Sequence, residues 1–197
     1  MINDQGGING RRVNLISLDD GFLPPKTAEQ TRRLVEQDQV LALIGSFGTP
    51  TNAAVQKYLT DRKVPQIFIQ AGASRWNDPE HFPWTIPIVL LLRTEAKAHA
   101  TYILHSNPTA RVAILYQNDD FGKDYVNGIK ERFDGQAGER IAATASYETT
   151  DATIDPQIIT LQTSGADTLL LAATPKFTAR AIRKVFDIGW HPTRFIA

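Results

Sequence analysis

The chain has 197 residues, is 42% hydrophobic and balances 21 basic against 21 acidic side chains, so it can bury a core in one large or two small domains and has no overall charge bias toward nucleic acid or an anionic membrane. It contains no cysteine, which excludes disulfides, thiolate metal sites and a cysteine nucleophile. Residues 1–12 lack the apolar core of a signal peptide, and the longest apolar run, residues 86–92, is too short to span a bilayer.

Short branched apolar runs predict strands at Val13–Leu18, Val40–Ile44, Pro65–Ile69, Val112–Tyr116 and Thr168–Ala172, with weaker patterns at Ile141–Tyr147 and Arg194–Ile196. Helical spacing predicts helices between them, over Pro25–Gln37, Asn52–Arg62, Arg93–His105, Gly122–Phe133, Pro156–Ser164 and Lys176–Ile188. Strands alternating with helices mean an α/β fold with a mainly parallel sheet. Three prolines and two tryptophans in residues 76–88 break the rhythm, which places a lobe boundary between residues 1–88 and 89–197.

In doubly wound sheets a ligand sits beyond the carboxyl ends of the strands. Those positions hold Asp19 and Asp20, then GSFGTPT at 45–51, QAGAS at 70–74, QNDDFG at 117–122 and ATPKF at 173–177. Small, hydroxyl, acidic and aromatic residues suit a pocket better than a catalytic machine. In the first of these turns Thr49 is expected to cap a helix and Pro50 to occupy its first turn, leaving backbone donors that favour a phosphate or a carboxylate. No lysine-hydroxyl pair closes the turn and no G-x-G-x-x-G follows a strand, so a carboxylate fits better than a phosphate. A G-x-S-x-G elbow is absent, and His81, His99, His105 and His191 follow no strand in a catalytic position or at a zinc-pair spacing. The acid pairs at 19–20 and 119–120 read as turn and cap residues. Phe82 and Trp84 read as packing, Trp76 as packing or pocket lining, and Phe121, just after a strand, as a stacking residue.

The segments INDQGGINGRRVNLISLDD, LVEQDQVLALIGSFGTPT, VPQIFIQAGAS, ARVAILYQNDDFGKDY and SGADTLLLAATPKFTARAIRKVFDIGW, in this order, resemble the periplasmic solute-binding proteins of branched-chain amino acid type ABC importers. The resemblance runs over essentially the whole chain. It implies two doubly wound, mainly parallel α/β lobes, the type I periplasmic-binding-protein fold, closing over a small solute, with no catalysis, metal or cofactor. It further implies a periplasmic location and a membrane permease as partner. Matched residue by residue, it puts Thr49, with Ser46 and Thr51 in reach, on a ligand carboxylate, and Gly72 and Ser74 on the ligand's polar head. Phe121 and Thr174 become lid residues. By this resemblance the first lobe lacks its first strand and helix and the second stops before its return to the first, so the chain is expected to be a fragment that either self-associates through an open first-lobe sheet or adjusts its first lobe. The hydroxyl-free Phe121 and the GSFGTPTN and ASRWNDP details resemble relatives that take aromatic or other apolar carboxylates. The alternatives are a cytosolic amide- or amino-acid-sensing regulator of the same fold and an unrecognised α/β enzyme.

Overall fold

A computed structural model describes residues 2–197. In chain order its elements are α1 (Pro24–Arg32), β1 (Leu43–Ile44), α2 (Thr49–Arg62), β2 (Gln66–Ile69), β3 (Thr85–Pro87), α3 (Leu92–Ser106), β4 (Val112–Gln117), α4 (Asp120–Phe133), α5 (Ala137–Arg140), β5 (Ile141–Tyr147), α6 (Asp155–Thr163), β6 (Thr168–Ala172), α7 (Pro175–Asp187) and β7 (Arg194–Ile196). They form two parallel sheets, β1-β2-β3 and β5-β4-β6-β7.

The second sheet is covered on both faces, which explains its unbroken apolar strands. Side chains alternate along a strand, so Val112, Ile114, Leu170 and Ala172 meet α3 and α4 through Ala96, Ile103, Ile129 and Phe133. Ala113, Leu115, Leu169 and Leu171 face the other way, onto Ile158 and Leu161 of α6 and Ala181 and Val185 of α7. Each large aliphatic side chain buried in this way contributes about 1.5–3 kcal/mol, so these two layers dominate the stability of the second sheet.

The first sheet differs from expectation. Val13–Leu18 forms no strand; the main-chain N–H and C=O of Val13 bond instead to the Asn3 side chain, each at 2.8 Å, and Leu15 is 75% exposed. The strand expected at Val40–Ile44 shrinks to Leu43–Ile44, with Leu41 92% and Ile44 56% exposed. A strand exists through its ladder: no strand among the described residues pairs with Val13–Leu18, and β1 is laddered on one side only, to β2. Alpha-helical hydrogen bonding in α1 also stops at Arg32, and the predicted remainder to Gln37 continues as a π-helical turn, Arg33–Gln37.

The two sheets share one apolar core. Ile69 and the residues that follow β2, Ala71, Ala73 and Trp76, pack in the same cluster as Leu92 and Ala96 of α3 and Tyr125 and Val126 of α4. Trp76 is therefore a core residue. Among the described residues no helix is long and apolar enough to cross a membrane.

Candidate functional site

The turn before α2 is built around Gly48, the N-cap, whose φ of +91° lies in the region that glycine tolerates and whose missing Cβ leaves room for the Phe22 ring. This moves the cap one residue from its expected place, so that Thr49 is the first helical residue and Pro50 follows it in the first turn. Thr49 is only 4% exposed, and its hydroxyl has no hydrogen-bond partner. An unpaired buried hydroxyl is costly, and it stands here at the donor-rich start of a 14-residue helix. Thr51 is also buried, but its hydroxyl donates back to the carbonyls of Phe47 and Gly48, the latter at 3.1 Å.

Asn52 holds this turn in place, a role that the sequence reading missed. Its Nδ2 donates to the carbonyls of Gly48 at 2.6 Å and Ser46 at 3.1 Å, and its Oδ1 accepts from Nε2 of buried Gln66 at 2.7 Å. Thr85 on β3 extends the network by donating to Gln66 Oε1 at 3.4 Å. Polar residues thus run from the underside of the first sheet to the start of α2.

After β2, the backbone passes close to the segment leading into α3. Gly72 accepts from the Leu92 N–H at 2.8 Å, and a Cβ at Gly72 would stand 2.4 Å from the Leu90 carbonyl oxygen. Ser74 opens a short 3-10 turn and donates its N–H to Oδ2 of Asp124 on α4. The neighbouring Arg75 donates to Asp120 Oδ2 at 2.8 Å and to Gln56 Oε1 of α2 at 3.5 Å.

On the second sheet, Asp119 caps α4 by accepting from the Gly122 N–H at 3.2 Å. Phe121 is half-buried against the shared core, as is Ala53 from α2. Asp119 also accepts from Gln117 Nε2 at 2.6 Å, while Gln117 Oε1 accepts from the Tyr147 hydroxyl at 3.3 Å. That hydroxyl in turn accepts from the Thr174 N–H at 3.0 Å. Ser46, Thr49 and Thr51 therefore share one turn, and Ser74 is tied to the helix that carries Phe121. Thr174 is placed by the end of the second sheet, through Tyr147.

Burial pushes the Asp119 carboxyl above its ordinary 3.8, against the opposing hydrogen bonds from Gln117, Gly122 and Phe121. A carboxyl raised on folding favours the folded state below its ordinary pKa and loses that contribution as pH rises through the raised value. Melting temperatures of the parent and Asp119→Asn, compared from pH 4 upward, are expected to show the parent losing ground to the variant as pH rises. A constant difference across that range would show that Asp119 does not titrate in this way.

Nothing in this arrangement pairs a nucleophile with a base. The Tyr125 hydroxyl meets Nδ1 of His99, and His81 Nδ1 lies 2.8 Å from Asp78 on an exposed turn. Among the described residues no three His, Cys, Asp or Glu side chains are grouped as a metal site requires. A concavity of about 450 Å³ runs along α1 and the π-helical turn after it, lined by Glu29, Arg32, Arg33 and Glu36, away from these loops. The chemistry offered by the strand-end turns is that of hydroxyls, backbone donors, a helix start and an aromatic ring.

A family model described as "Periplasmic binding protein" matches residues 1–197. Among curated relatives, the Leu/Ile/Val-binding protein homolog 7 of Brucella abortus (strain 2308) is 21% identical over 205 aligned positions, which take in 99% of this chain and 50% of the relative. Among solved structures, a substrate-binding periplasmic protein from Ralstonia solanacearum superposes with a TM-score of 0.87 at 26% identity, over 98% of this chain and 54% of that one. A solute-binding protein of an ABC transporter from Rhodopseudomonas palustris BisB5, in complex with 3,4-dihydroxybenzoic acid, superposes with a TM-score of 0.81 at 21% identity, over 95% of this chain and 51% of that one. The chain spans about half the length of the curated relatives it matches along its whole length. With the family match running from end to end and the two parallel α/β sheets superposing on these structures, the chain belongs to the periplasmic binding protein family.

Proposed function

We propose that this chain forms the solute-holding part of an ABC importer's periplasmic binding protein and takes a small carboxylate-bearing solute with an apolar, often aromatic, body. The observation that carries the reading is the Thr49 hydroxyl, buried and without a partner at the start of α2. A carboxylate there would accept from that hydroxyl and from the first-turn N–H groups, and would be favoured by the helix dipole. Ser46 and Ser74 add polar groups. Thr51 and Gly72 contribute mainly shape, because the hydroxyl of one and the carbonyl of the other already have partners within the chain.

In this reading residues 1–88 and 89–197 act as two lobes, and Phe121 and Thr174 cover the apolar part of the solute from the second. Ser74 and Arg75 sit directly on α4, so entry requires the lobes to part and closure re-forms these contacts. No step of bond making is involved, nor any metal or cofactor. The partners are the solute and a membrane permease. Support for an aromatic solute comes from the 3,4-dihydroxybenzoic acid bound to the R. palustris protein and from Phe121, an apolar ring at the expected lid position.

A thermal-shift screen with leucine, phenylalanine, 3,4-dihydroxybenzoate and catechol tests the reading. A ligand at a hundred times its Kd adds about 2.7 kcal/mol to stability, which for a chain of this size raises the Tm by about 5–11 °C. At least one carboxylate is expected to produce such a shift, and catechol, which lacks the carboxylate, is expected to produce none. A shift with catechol equal to that with dihydroxybenzoate, or no shift with any carboxylate, would contradict the proposal.

A further inference from the structure

We infer that Asp124 is a positioning residue for this site: its carboxylate fixes the Ser74 turn of the first sheet against α4 of the second. The inference rests on the reading of Ser74 as part of a solute site. Ser74 begins a three-residue 3-10 turn, and the first N–H of such a turn has no partner within it. A carboxylate 50 positions along the chain takes that N–H, in the way that a capping residue would, but from a different element.

The Asp124 side chain is only 14% exposed, and Arg93 Nε, 3.2 Å from Glu131 Oε1, lies 3.9 Å from the other Asp124 oxygen, so the carboxylate has a cation shared with Glu131 on one side and the amide on the other. One helical turn earlier Asp120 pairs with Arg75, but those side chains are 50% and 38% exposed, and an exposed pair contributes little. The largely shielded charged hydrogen bond outweighs the exposed ion pair. Asp124 is therefore the main tie, and Asp120 with Arg75 the accessory one. Both project from the helix whose first turn carries Phe121, so the turn bearing Ser74 and the expected lid are held to a common support.

Amide hydrogen exchange on the ligand-free chain tests the tie without any ligand. In Asp124→Ala the Ser74 N–H is expected to exchange at least about tenfold faster, because its opening no longer breaks a charged hydrogen bond. In Asp124→Asn, which keeps an acceptor oxygen, and in Asp120→Asn it is expected to stay within about threefold of the parent, with Leu170 in the centre of β6 unchanged in every variant. Unchanged Ser74 exchange in Asp124→Ala, or an equal acceleration at Leu170, would overturn the inference. In a parallel titration with leucine and 3,4-dihydroxybenzoate, any probe that binds the parent is expected to bind Asp124→Ala at least about fivefold more weakly, with recovery in Asp124→Asn. Equal affinity in the alanine variant would overturn the positioning role. Binding of neither probe to the parent would count against the proposed function, while the exchange result would still decide whether Asp124 holds the turn.

Discussion

Gly122→Ala is expected to lower the melting temperature by about 6–12 °C, which corresponds to about 3 kcal/mol for a chain of this length. A Cβ at this position would lie 2.1 Å from the Gln117 carbonyl oxygen and 2.8 Å from its nitrogen. Both are backbone atoms at the end of β4, a central strand whose Gln117 is laddered to Tyr147 of β5, and cannot move aside as a side-chain tip could. The start of α4 must shift instead, carrying Phe121, the Asp119 cap and the contacts of Asp120 and Asp124 with it. Gly138→Ala is the control, because a Cβ there meets nothing within 4 Å and a glycine in a helix gains from alanine. Thermal melts of the two variants should separate clearly. A Gly122→Ala chain melting with the parent would show that α4 does not need this close approach to β4.

Asn52→Ala is expected to cost a similar amount, about 3 kcal/mol, through hydrogen bonding rather than volume. The substitution removes three bonds and leaves Gln66 Nε2 buried beneath the first sheet with its acceptor gone. A buried polar group stripped of its partner costs about 1–3 kcal/mol, and the Ser46 and Gly48 carbonyls each lose one donor while keeping the Gln70 N–H and the Thr51 hydroxyl respectively. Asn52→Asp is the sharper comparison. It keeps an acceptor for Gln66 but turns an oxygen toward two carbonyl oxygens and buries a charge, so at neutral pH it should be at least as destabilising as alanine. Urea melts of Asn52→Ala, Gln66→Leu and the double variant should show strong non-additivity, because the second loss falls on a group already unpaired. Additive losses would mean that the two side chains act independently.

Legibility in the sequence followed the completeness of the packing. Thr168–Ala172 was read to the residue, and Val112–Tyr116 to within one, because helices cover both faces of those strands and the chain writes them as unbroken apolar runs. Val13–Leu18 has a comparable composition but forms no strand, since hydrophobic pattern reports what a segment could bury and not whether a neighbour is there to pair with it. The strand-end rule points to Thr49 and Phe121, which lie in the first turns of the helices that follow β1 and β4. Asn52 and Gln66 were invisible to it. A lone polar residue inside a helix or strand looks solvent-facing until its partner, 14 positions away in this pair, is brought beside it. The Asp124 contact with Ser74 spans 50 positions and left no local signal at all.

The central claim, that the start of α2 holds a ligand carboxylate through Thr49, is tested most directly by isothermal titration of 3,4-dihydroxybenzoate and leucine into the parent and Thr49→Val. Valine matches threonine in shape and removes a buried hydroxyl that has no partner, so the variant should melt at or slightly above the parent temperature. A carboxylate is expected to bind the parent and to bind this equally stable variant at least about tenfold more weakly, the loss expected for a hydrogen bond to a charged group. Equal affinity for the two chains, or no binding of either carboxylate to the parent, would contradict it.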